Sequence, residues 1–247
     1  LFRSKKYLGT DDPAKVQEYF SDWNKMIESG KTILDKSGGA TKLFSGVDDV
    51  KRVYQAARQN AWYDENDKLS VEDTMSNYMD FAKSLYDNGL TNNTAQWSAE
   101  WSANAATDNT FAYMGCTWFL HWCLKAYSGG TAVGEGTYGD WAMTAGPQEY
   151  YWGGTWLVAS KECSDKELAG LIMKATTCDT TVMKDICENT LDYVNNKQAI
   201  AELITEGKGA YDFLGGQDFL SYFSPLADAI KLPAMCAEDF YITQRFD

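Results

Sequence analysis

The fold is decided by a stretch that reads Phe111-Ala-Tyr-Met-Gly-Cys-Thr-Trp-Phe-Leu-His-Trp122, then Tyr138-Gly-Asp-Trp-Ala-Met-Thr-Ala-Gly-Pro-Gln148, then Tyr150-Tyr-Trp-Gly-Gly-Thr-Trp-Leu-Val-Ala-Ser-Lys161. Five tryptophans fall in this window: Trp118, Trp122, Trp141, Trp152 and Trp156. Several stand beside glycines at predicted strand ends, where ligands of α/β proteins usually bind. Because indole stacks well on flat apolar faces such as those of sugar rings, the window predicts a ligand platform. Core packing is the alternative for each individual tryptophan.

The surrounding pattern alternates helix signals with short apolar runs. Strands are predicted at 41–45, 111–115, 138–144 and 155–160. Helices begin at recognisable caps, such as Asp12 before Pro13, Ser21, and the capping box 164–167. This mixture predicts an α/β fold.

Composition excludes several classes of function. The 247 residues carry 35 acidic and 22 basic side chains, a formal charge of −13, which argues against a nucleic-acid partner. No apolar run approaches the roughly 18 residues of a membrane span. The six cysteines form no Cys-x-x-Cys pair and His121 is the single histidine, so we expect mostly free thiols, no metal site and no cofactor.

The order of these segments resembles that of bacterial extracellular solute-binding proteins of family 1. These serve sugar ABC transporters and include the maltose-binding-protein-like group. The specific pieces are the strand 111–115 running into Thr117-Trp118, the glycine-rich loop, the Gly139-Asp-Trp-Ala-Met segment, and Trp152-Gly-Gly-Thr-Trp156 before the capped helix. The resemblance covers nearly the whole chain and implies a type II periplasmic-binding-protein-like fold.

The resemblance also implies how the chain divides between two lobes. Residues 1–152 are expected to form the first part of the second lobe, 153–207 an inserted segment of the first lobe, and 208–247 the return of the second lobe. The opening residues 1–6 resemble the strand by which such proteins enter their second lobe. We therefore expect a fragment of a longer protein that binds sugar weakly or not at all.

Candidate ligand-binding residues follow from the same resemblance: Trp118, Trp156, Trp152, Asp48 and Asp49. Trp118 matches the sugar-stacking position after strand 111–115, and Trp156 matches a position facing the cleft at the lobe crossing. Asp48 and Asp49 match polar groups that bind sugar hydroxyls, although helix capping explains them equally well.

Trp97 and Trp101, four residues apart on one helix face, fit core and cleft equally. The expected function is capture of a mono- or oligosaccharide outside the cytoplasm and its delivery to an ABC transporter permease, without catalysis. Membrane association would require only a lipid anchor outside this chain. The alternatives are a glycoside hydrolase with paired carboxylates and a helical interaction domain without a small ligand.

Overall fold

The computed structural model describes residues 2–232, 235, 236 and 238–246. The described chain is mainly helical. Its α-helices are α1 (Phe2–Leu8), α2 (Pro13–Tyr19), α3 (Trp23–Lys36), α4 (Lys51–Ala56), α5 (Asp73–Asp87), α6 (Ala99–Ala103), α7 (Lys125–Tyr127), α8 (Lys166–Cys178), α9 (Thr180–Thr190), α10 (Lys197–Thr205), α11 (Phe219–Ala229) and α12 (Asp239–Thr243).

Shorter elements connect these helices. Regular strand pairing is confined, within the described ranges, to β1 (Ala210–Tyr211) and β2 (Gln217–Asp218), which are antiparallel. A π-helical segment, Phe119–Leu124, runs directly into α7. The 3₁₀ turns are Val47–Val50, Asn104–Ala106, Asp212–Leu214 and Gln244–Phe246.

Aspartate side chains begin many of the helices. Asp12, Asp22 and Asp165 each accept a backbone N–H from the first turn of the helix that follows, which satisfies donors that no helical carbonyl reaches. The cap of α3 is therefore Asp22, not Ser21, and the cap of α8 is Asp165, the second residue of the predicted box. These local signals locate helices to within one or two residues.

Two hydrophobic clusters hold the chain together. The first packs α1 to α5, with apolar residues repeating every three or four positions, as in Met75, Tyr78, Phe81 and Leu85 of α5. The second joins Trp101 and the segment after 118 to α9, α10 and the β1–α11 region. It draws on all three predicted lobe segments, whose boundaries stay a prediction.

The predicted strands at 41–45 and 111–115 lie side by side and parallel. Phe111 N donates to Lys42 O at 2.8 Å and Ala112 N to Leu43 O at 2.9 Å, but only isolated bridges form. The predicted strands at 138–144 and 155–160 are wrong, because no backbone ladder forms on them in the described part of the chain; one hydrogen bond, from Gly139 N to Phe213 O at 3.2 Å, joins the first segment to another stretch of backbone. An extended sequence becomes a strand only when a neighbour is present to complete the ladder.

The opening segment also differs from its prediction. Residues 2–8 form α1 instead of a strand, and Leu1 lies outside the described residues. Arg3 of this helix is buried and donates to Asp108 Oδ1 at 3.1 Å and to Thr107 O at 2.7 Å. These contacts bind the helix to the loop that precedes the 111–115 segment.

All six cysteines are free, which confirms the expectation for the thiols. Among the residues that the structure describes, no group of histidine, cysteine and carboxylate side chains could hold a metal ion. None of the described helices is both long and apolar enough to cross a membrane.

Candidate ligand-binding site

A large cavity of about 1320 Å³ opens beside the two clusters. Its walls include the segments 111–118, 140–146, 148–155 and 192–195. These segments contain most of the sequence window that predicts a ligand platform. The cavity is thus built largely from extended backbone that no sheet covers.

Two glutamine side chains hold the extended wall 140–146 in place. Gln217 accepts from Met143 N at 2.7 Å and donates to Met143 O at 3.0 Å. Gln17 likewise accepts from Gly146 N at 2.9 Å and donates to Gly146 O at 2.8 Å. Each side-chain amide supplies the donor and the acceptor that a neighbouring strand would provide, so this wall is fixed without a β-ladder.

Trp97, Trp118 and Trp152 form an aromatic group, of which Trp118 and Trp152 line the cavity and Trp97 contacts both without lining it. The rings of Trp97 and Trp118 are nearly parallel with centroids 6.1 Å apart, and Trp152 meets both edge-on, at 5.8 Å from Trp97 and 5.4 Å from Trp118. Trp118 Nε1 donates to Trp152 O at 3.1 Å. Gly153, with φ of +65°, lets the chain turn directly after that carbonyl. We call these three residues the tryptophan group.

Trp101 packs against Trp97 of the tryptophan group. It is fully buried, its ring lies 5.1 Å from Trp97, and its Nε1 donates to Asp49 Oδ1 at 2.6 Å. Asp49 Oδ2 accepts from Ser45 N and Gly46 N, both at 3.0 Å. Both oxygens of Asp49 are engaged, so this carboxylate organises the 45–49 loop and orients Trp101.

The environment of Asp49 shifts its ionisation. Burial raises the pKa of Asp49 to about 7, because a charged carboxylate is poorly solvated there. Hydrogen bonds from Gly46, Trp101 and Ser45 act in the opposite direction by stabilising the charged form, and Asp48 nearby adds to the rise. Asp49 therefore titrates near neutral pH, unlike an exposed aspartate.

Asp48 is half-buried next to this carboxylate. Its Oδ2 accepts from Gln96 N at 3.1 Å, while Oδ1 is buried without a hydrogen-bond partner. Neither Asp48 nor Asp49 lines the cavity. Their role as ligand residues stays a prediction, and the observed contacts assign both to the loops that carry the tryptophans.

Arg52 adds a positive charge to the cavity wall. Its guanidinium carbon lies 6.0 Å from the centre of the Trp152 ring. Burial lowers the pKa of Arg52, which nevertheless keeps its charge at neutral pH. The tryptophan group thus combines apolar faces with one cation.

The structure separates Trp156 from the other predicted site residues. Its side chain is 70% exposed and does not line the cavity, although its neighbours Thr155 and Leu157 do. Trp118 and Trp152 are brought together, whereas Trp156 is not. A ligand role for Trp156 stays a prediction.

Trp97 completes the group without lining the cavity, and its position beside Trp118 and Trp152 could not be chosen from sequence. It has a φ of +71°, a conformation that few non-glycine residues adopt, and its side chain is 46% exposed. Such backbone strain persists where surrounding contacts enforce it and is often found at functional sites. The only sequence signal is the polar, turn-rich run 92–96 before it.

The fold matches a crystal structure of an extracellular solute-binding protein of family 1, with a TM-score of 0.78 and 18% sequence identity. The match covers 98% of this chain, which spans 61% of the length of that protein. No protein-family model and no curated protein matches the chain. The resemblance seen in the sequence is therefore confirmed at the level of the fold, including a mixed helical architecture that corresponds to part of a solute-binding protein.

Proposed function

We propose that this chain is part of an extracytoplasmic solute-binding protein that captures a carbohydrate and delivers it to an ABC transporter permease. The observation that carries the proposal is the pair Trp118 and Trp152 on the wall of the cavity of about 1320 Å³, with Trp97 stacked against Trp118. Aromatic rings held rigidly beside a cavity offer apolar faces at little cost in conformational entropy. The shared fold with a solute-binding protein supports the same role.

Polar groups around the tryptophan group suit sugar hydroxyls. Arg52 supplies donors, and Glu149, exposed on the same wall, supplies acceptors. Hydrogen bonds to charged groups contribute about 1.5–3 kcal/mol each, more than neutral ones. Stacking and a few such bonds together give the usual chemistry of a largely apolar pocket with a small number of polar anchors.

We do not assign catalysis to the cavity. A glycoside hydrolase would need two carboxyl groups placed across the scissile bond, about 5–9.5 Å apart. Asp140, Glu149 and Asp192 line the cavity, but each lies on a different stretch of its wall. The hydrolase is kept as an outcome of the test.

A thermal-shift screen of neutral mono- and oligosaccharides, with a reducing-sugar assay on the same samples, tests the proposal. Because the chain spans 61% of the length of the matched protein and weak binding is expected, the sugars are tested at millimolar concentration, where at least one should raise the melting temperature without release of new reducing ends. Release of reducing ends would favour the hydrolase. No shift with any sugar would count against carbohydrate as the ligand class.

A further inference from the structure

Trp122 is an exposed aromatic residue on the cavity wall, in addition to the half-buried Trp118 and Trp152. Its side chain is 59% exposed, yet two contacts fix its ring. The indole Nε1 donates to Asp192 Oδ2 at 3.2 Å, and the His121 ring meets it edge-on with centroids 4.9 Å apart. A large apolar ring that faces solvent but is held in one orientation is suited to stack against a ligand.

Asp192 provides a polar group at the edge of this ring. It lies between α9 and α10, where its backbone N–H donates to Thr190 Oγ1 at 3.3 Å. Its Oδ1 accepts no hydrogen bond from the side chains and backbone that the structure describes, and the residue is only half-buried. This oxygen is available to a hydroxyl donor stacked on Trp122.

Trp122 and Asp192 line the same cavity as Trp118 and Trp152. Trp118 and Trp122 are four residues apart in a continuous helical segment, which is close to one turn in both α- and π-helical geometry. The cavity volume of about 1320 Å³ exceeds the range of roughly 300–1000 Å³ for pockets that enclose one small ligand. The space allows a ligand that touches both sets of rings.

We propose that Trp122 and Asp192 form a second sugar-binding position and that the ligand is an oligosaccharide which spans from the tryptophan group to Trp122. This inference rests on the proposed carbohydrate-binding function and specifies its ligand class. One ring of the oligosaccharide stacks at the tryptophan group. Another stacks on Trp122 with a hydroxyl donating to Asp192 Oδ1.

Calorimetric titration with malto-, cello- and xylo-oligosaccharides of one to six units tests the inference. We expect the affinity for one series to rise with chain length in the wild-type protein. Trp122→Ala should remove that rise, weakening the longest oligosaccharides about tenfold or more, which corresponds to about 1.4 kcal/mol, and leaving the shortest unaffected. Asp192→Asn should reduce the rise in affinity with chain length by a smaller factor. Trp118→Ala should weaken the binding of oligosaccharides of every length.

The matched control is Tyr86→Ala, since Tyr86 is 61% exposed and does not line the cavity. Thermal melting of each variant checks that it is folded, and both Trp122→Ala and Tyr86→Ala should melt close to the wild type because both side chains are exposed. If the affinity of Trp122→Ala still rises with oligosaccharide length, the second sugar-binding position would be wrong, while the proposed function would stand. Wild-type protein that binds none of the three series would overturn both.

Discussion

Trp118 and Trp156 stand in similar surroundings in the sequence, each in a short aromatic run close to glycines, but the structure treats them differently. Trp118 is half-buried, stacks with Trp97 and donates to a backbone carbonyl. Trp156 is 70% exposed, and it is followed by the exposed Leu157 and Val158. The difference comes from residues outside both runs. Trp97 stacks on Trp118 and itself packs against Trp101, whose indole is held by Asp49, whereas no described element covers Trp156.

The 155–178 region extends this contrast. In α8, Leu168, Leu171 and Ile172 are each more than half exposed, and no residue of that helix is buried. By comparison, the helices around the first cluster bury one full apolar face. The tryptophan group therefore belongs to a packed part of the molecule and Trp156 to an open part.

The largest effect expected from this contrast is on stability. Trp101→Ala removes a fully buried indole and its hydrogen bond to Asp49, so it should lower the free energy of unfolding by about 3–5 kcal/mol. Trp156→Ala should change it by less than about 0.5 kcal/mol, as is usual for exposed sites. Urea denaturation measures both values. Equal losses would show that the open and packed regions are not distinct.

The second effect concerns pH. The pKa of Asp49 is raised to about 7 in the folded protein, whereas the pKa of an aspartate in the unfolded chain is near 3.9. Between these two pH values the folded state therefore keeps a proton on Asp49 that the unfolded chain has released. This group therefore lowers stability as pH rises from about 4 to 7, by up to about 1.4 kcal/mol per pH unit.

Asp49→Asn should remove this contribution, which is measured as the difference between wild-type and variant unfolding free energies at pH 4.5, 6 and 7.5. Asp48→Asn, one residue away, is the matched control and should keep most of the wild-type slope, because burial raises the pKa of Asp49 more than the charge of Asp48 does. A wild-type slope that persists in Asp49→Asn would assign the titration to another group.

A smaller effect should appear in the cavity wall. Gln217→Leu leaves Met143 N and Met143 O without their partners, at a cost of about 1–3 kcal/mol if they stay buried, so the 140–146 segment should open more often. Hydrogen exchange measured on a peptide covering 140–146 should speed up. Gln198→Leu on the surface of α10 should leave this exchange unchanged, and unaltered exchange in Gln217→Leu would show that other contacts fix the wall.

Much of the helical fold could be predicted because its signals are local. The predicted caps at Asp12, Ser21 and 164–167 located the starts of α2, α3 and α8 to within one or two residues. The strands at 138–144 and 155–160 could not be judged in this way, since a strand depends on a partner elsewhere in the chain. In place of a strand, the side chains of Gln17 and Gln217 bind the first of these segments.

The candidate site was predictable in part. Trp118 and Trp152 were expected at the cleft and line the cavity together. Trp122, in the same tryptophan-rich window but not among the assigned ligand residues, and Arg52 also line the cavity. Trp97, for which core and cleft were equally expected, contacts Trp118 and Trp152 without lining the cavity, and its strained backbone has no sequence pattern. The contacts of Asp48 and Asp49 show that a polar residue at a position resembling a ligand-binding one can instead form hydrogen bonds that hold neighbouring loops in place.

The central claim is that carbohydrate binds at the tryptophan group, and calorimetric titration of Trp118→Ala and Trp156→Ala with the best sugar from the screen tests it most directly. Loss of Trp118 removes a stacking face and the bond that holds Trp152, so affinity should fall at least about tenfold, or 1.4 kcal/mol. Trp156→Ala should bind like the wild type. Unchanged affinity in Trp118→Ala, or loss of binding in Trp156→Ala alone, would contradict the account.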